Sequence, residues 1–100
     1  MDDDDLLELV TDASGAFETY ALRHFKLTRR TPAEGGERHL LLTIMDAGPD
    51  AGANRYMVEV KDEEPTGEPF PPYSLSNPDS TIEEALRGVH WNEFDKSIPN

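Results

Sequence analysis

The chain contains no cysteine among its 100 residues. Disulfides, thiolate nucleophiles and Cys-ligated zinc or iron–sulfur centres are thereby excluded. Positive charge is scarce too: nine Lys and Arg stand against 21 Asp and Glu, a formal net charge of −12. Nucleic acids and anionic bilayers are bound by bases that displace counterions or meet headgroups, so neither is an expected partner. Long apolar runs are missing as well. No stretch approaches the ~20 apolar residues that a membrane helix needs, and Asp2 to Asp5 stand where a signal peptide would carry bases and an apolar run. The expectation is a cytoplasmic protein.

Catalytic motifs are also lacking. The serines Ser14, Ser74, Ser76, Ser80 and Ser97 fall in no G-x-S-x-G elbow. Neither a phosphate-cradling G-x-x-x-x-G-K nor a G-x-G-x-x-G is present. Three histidines, His24, His39 and His90, could ligate zinc if they met in space, and His24 and His39 would face each other on suitably paired strands. No two of them have the close helical spacing of a metal site. Asp46, Asp50 and Asn54 miss the alternation of a calcium loop. No enzyme activity, metal or cofactor is expected.

What the chain does have is acid, unevenly placed. Residues 1–22 hold seven acids and no base, and residues 62–100 hold nine acids and two bases. Between them, Arg23, Lys26, Arg29 and Arg30 form one basic island. Such an island is neutralised within a fold, solvated, or offered to an anionic partner.

The length suits one domain over residues 1–100, with frayed termini. Residues 5–13 read as a short helix, with acids at its N-terminal end and Ser14-Gly15 as its stop. Residues 17–30 have a helical spacing of Phe17, Tyr20, Ala21, His24 and Phe25. Their β-favouring composition and the turn-rich 31–37 that follows favour a strand and a hairpin instead. Residues 38–45 and 55–61 are strands, the latter with Tyr56, Val58 and Val60 on one face. Residues 62–79 carry five of the eight prolines and read as a long loop. Ser80 and Glu83 match a capping box, which predicts a helix over 81–94 with Ile82, Ala85, Leu86, Val89 and Phe94 as its apolar stripe. The expected fold is α+β: a three-stranded antiparallel meander flanked by an N-terminal and a C-terminal helix, in the order α-β-β-β-α.

Recognition is expected of the proline-rich loop. Phe70 and Tyr73 flank its Pro71-Pro72 pair, and Glu63, Glu64 and Glu68 lie beside them. Trp91 is the remaining candidate, as an interface anchor or as a cap on the core. The leading functional expectation is a small acidic protein-interaction module that binds a basic partner protein, as inhibitors, immunity proteins and nucleic-acid mimics do. The alternatives are a small-ligand or metal-binding domain, and acidity that serves only solubility or a salty habitat.

Overall fold

The computed structural model describes residues 2–31 and 36–95. Helix α1 spans Asp3–Ser14, and strands β1 (Ala21–Arg30) and β2 (Glu37–Asp46) follow as a hairpin. A 3-10 stretch over Pro49–Asn54 leads into β3 (Tyr56–Asp62). Then come β4 (Tyr73–Leu75), helix α2 (Ile82–Arg87) and a 3-10 turn at Trp91–Asp95. The four strands form one antiparallel sheet in the order β1-β2-β3-β4.

Two of these elements correct the sequence reading. The sheet has four strands rather than three, because Tyr73–Leu75, expected within a loop, pairs with β3. Asp79 adds a bridge to Tyr56. The C-terminal helix is also shorter and shifted. Thr81, not Ser80, is its N-cap, and the Thr81 hydroxyl accepts from the Glu84 N–H at 3.1 Å. Both residues have Glu three positions on, so the spacing fits either. The helix ends at Arg87, because Gly88 is a poor helix former and lies against Ser76; a Cβ there would stand 3.4 Å from the Ser76 Cβ.

The N-terminal helix begins two residues earlier than expected, so its acidic start is helical rather than frayed. Asp2 caps it by accepting from the Asp5 N–H at 2.9 Å. Gly15, at φ 70°, ends it in the left-handed conformation. Residues 17–20 lie before β1, which starts at Ala21. The expected turn at 31–37 and the expected fraying at 95–100 fall largely on residues 32–35 and 96–100, outside the described residues.

Period-two alternation divides the sheet into two faces. One carries Leu40, Leu42 and Ile44 of β2 and Val58 and Val60 of β3, all buried. Ala85 and Val89 of the α2 segment and Phe94 of the 3-10 turn cover them, with Ile82, Leu86 and Trp91 packed at the rim. Buried serines complete this layer: Ser76 Oγ accepts from the Val58 N–H at 2.9 Å, and Ser74 Oγ from the His90 N–H at 3.0 Å. Helix α1 buries none of its residues. It is held by the ion pairs Asp4–Arg55 (2.9 Å) and Asp3–Arg23 (3.1 Å), and by Leu7 resting on Gly48. The opposite face has no helix over it among the described residues. Leu22, Tyr73 and Leu75 on that face are half-exposed. No helix among the described residues is long and apolar enough to cross a membrane.

Candidate functional site

The segment between β3 and β4 carries four of the five residues that the sequence marked in that loop, and a buried ion cluster sets its course. Arg38 lies on the core face of β2, in phase with Leu40, and its side chain is fully buried. Its Nη1 meets Asp62 Oδ1 at 3.2 Å and Glu68 Oε1 at 3.0 Å, while Nη2 donates to Glu68 Oε2 at 3.1 Å. The Arg38–Glu68 contact is therefore a two-pronged fork, the geometry a guanidinium favours with a carboxylate. Thr66 Oγ1 also donates to Glu68 Oε1 at 2.6 Å, across a turn in which Gly67 adopts φ 81°. Glu63 N donates to the His39 carbonyl at 2.9 Å and fixes the start of the segment. Burial pushes the Asp62 carboxyl above its usual range, even beside Arg38.

Past this anchor the chain turns outward. Phe70 is 91% exposed. Pro72 is buried, and Tyr73 then enters β4 opposite Lys61. The Tyr73 hydroxyl donates to Glu59 Oε2 at 2.8 Å, and that bond holds the phenol proton above its usual range. Glu63 pairs with Lys26 at 2.9 Å, while Glu64 is exposed. Tyr73, Glu63 and Glu64 line one depression with Pro71 and Pro72, and Phe70 stands exposed on the same segment.

The other two candidates point inward. Glu68 belongs to the Arg38 cluster and serves to hold the loop. Trp91 packs on the core rim, 6.4 Å from the Phe94 ring, with the Arg29 guanidinium 5.5 Å from its ring centre. Sequence reasoning missed Arg38 altogether. Its signal was the phase: a charged residue at an inward position of an apolar strand needs a buried partner.

The histidines do not meet. His24 and His39 each stand opposite a threonine, with Nδ1 3.0 Å from Thr43 Oγ1 and 3.2 Å from Thr28 Oγ1 respectively. His90 lies beyond α2, on the other side of the sheet. Among the described residues, no group of three or more His, Asp or Glu could hold a metal ion. A depression lies between α1, the start of β1 and α2, lined by Leu6, Val10, Leu22, Ile44 and Tyr56. At its edge Asp46 binds Arg55 Nε at 2.7 Å and the Gly48 N–H at 2.8 Å, which holds its carboxyl below the usual range. These contacts, with the Arg55–Asp4 pair at 2.9 Å, fix loop and helix together. Comparison with protein-family models, curated proteins and solved structures finds no match for this chain.

Proposed function

We propose that this chain is a cytoplasmic protein-interaction module that binds a basic partner protein through Phe70, Tyr73 and the acids Glu63 and Glu64. The observation that carries this reading is the exposure of Phe70 at 91% on a segment fixed at both ends. The Arg38 cluster ties one end and pairing with β3 ties the other. An aromatic side chain left in water gains nothing for the fold. The same side chain, held in place before contact, lowers the entropy that docking removes. Aromatic residues ringed by polar groups are the usual anchors of interfaces. The net charge of −12 supports the sign of the partner, since it steers basic surfaces toward the molecule and repels acidic ones.

The experiment is a capture from the native lysate with the wild-type chain, Phe70→Ala and Tyr73→Ala, followed by affinity measurement on the purified partner. The expected partner is basic, is released at about 0.5 M salt, and is bound about thirtyfold more weakly by Phe70→Ala. The variant's melting temperature should stay unchanged. Equal capture by the wild type and both variants, or a captured protein that is acidic, overturns the reading.

A further inference from the structure

The two edges of the sheet are built differently. The β4 edge is only three residues long, and its inward Ser74 meets the chain after α2 on the core face. The β1 edge runs for ten residues. Among the described residues, 21–30 make no backbone hydrogen bonds outside the pairing with β2. An open edge of this length is a template for another strand. We infer that it pairs with the same edge of a second copy of this chain, antiparallel, with Phe25 on the twofold axis.

Charge selects the second copy as occupant. Two molecules of net charge −12 repel over most of their surfaces. The β1 edge is the exception. Arg23, Lys26 and Arg29 already pair there with Asp3, Glu63 and Asp95, at 3.1, 2.9 and 3.1 Å. The edge is thus locally close to neutral, and it is where two copies approach at least cost. The same pairing weakens the case for an acidic foreign strand, because three of the four bases it would seek are occupied.

The side-chain pattern sets the register. Ala21, Arg23, Phe25, Leu27 and Arg29 share the core face, as their pairing with β2 shows. With the axis at Phe25, that residue meets its own copy, Arg23 meets Leu27 and Ala21 meets Arg29. On the other face His24 meets Lys26 and Leu22 meets Thr28. No two bases of the island stand opposite each other. Moving the axis one residue, to Lys26, sets Lys26 against Lys26 and Arg23 against Arg29, a juxtaposition that destabilises strand pairs. The chosen register also covers Phe25, 49% exposed in the single chain, with a partner aromatic ring.

The chain has no cysteine, so single-cysteine variants report the pairing directly. Across the axis, Phe25→Cys brings two thiols to directly opposed positions, within reach of a disulfide. Leu22→Cys puts its two thiols six residues out of step, roughly 20 Å apart. The expected result is rapid disulfide dimerisation of Phe25→Cys under mild oxidant, little for Leu22→Cys, and a wild-type mass in sedimentation equilibrium rising toward twice 11.2 kDa with concentration. Phe25→Lys, which places like charges on the axis, should remain monomeric with β-sheet circular dichroism intact. A wild-type chain that stays monomeric at its highest soluble concentration overturns the inference. So does equal cross-linking of the two cysteine variants.

Discussion

Arg38 has no water contact, and the two carboxylates around it are nearly as deeply placed. A charge taken out of water costs several kcal/mol unless it is paired and hydrogen-bonded, and here the fork to Glu68 supplies both. Arg38→Met leaves two buried acids facing each other. It should cost about 3–5 kcal/mol, read as a lower midpoint in urea denaturation. Asp46 behaves differently. The hydrogen bond from Arg55, with help from the Gly48 N–H, depresses its folded pKa. Its stabilisation is therefore complete above the unfolded carboxylate value of about 3.9 and is lost as pH falls through the depressed value. The melting temperature of Asp46→Asn should lie below that of the wild type near neutral pH, and the gap should close in acid. A constant gap across the pH series would count against the ion pair as its cause. Neither of these ion pairings was marked from the sequence; the one signal it held was the inward phase of Arg38 on an apolar strand. Its partners come from 24 and 30 positions away, a distance that local pattern does not span.

At the scale of elements, the strands over 37–46 and 56–62 were legible, the first as a short apolar run bounded by turns and the second by its alternation. β4 was not, for a physical reason. Three residues carry too little periodicity to read, and the inward residue is Ser74, whose hydroxyl is satisfied by the His90 N–H. Polar side chains can fill a core position when a backbone donor meets them, and composition then suggests a loop. The helix was legible in kind and misplaced in register, since Ser80 and Thr81 each precede a glutamate by three. The cap is open to a direct test. Thr81→Ala should cost about 1 kcal/mol of unfolding free energy, while Ser80→Ala should change it little. Ser76→Ala strips the buried Val58 N–H of its acceptor and should cost about 1–3 kcal/mol. Thermal or denaturant melts of the three variants separate these expectations.

For the molecule as a whole, the order of patterned segments foretold an α+β sheet with helices, and the half-covered sheet agrees with a chain only 36% hydrophobic. Acids outnumber bases by more than two to one, so repulsion outweighs the exposed ion pairs. The melting temperature should therefore rise from low salt to about 0.5 M sodium chloride, as screening relaxes that repulsion. A fall would mean that the surface ion pairs dominate. Duplex DNA or RNA should show no binding in a fluorescence titration at about 150 mM salt. What no reading of composition supplies is how unevenly the parts are secured. Helix α1 contributes no buried side chain and is fastened by ion pairs at its first turn, whereas β2 and β3 hold most of the interior. Its backbone amides should therefore trade their hydrogens for deuterium through a local opening of low free energy, well before those of Leu42 and Val58, which wait for global unfolding. Added salt should widen that difference in exchange rate, because it loosens the fastening of the helix while leaving the apolar interior of the sheet intact.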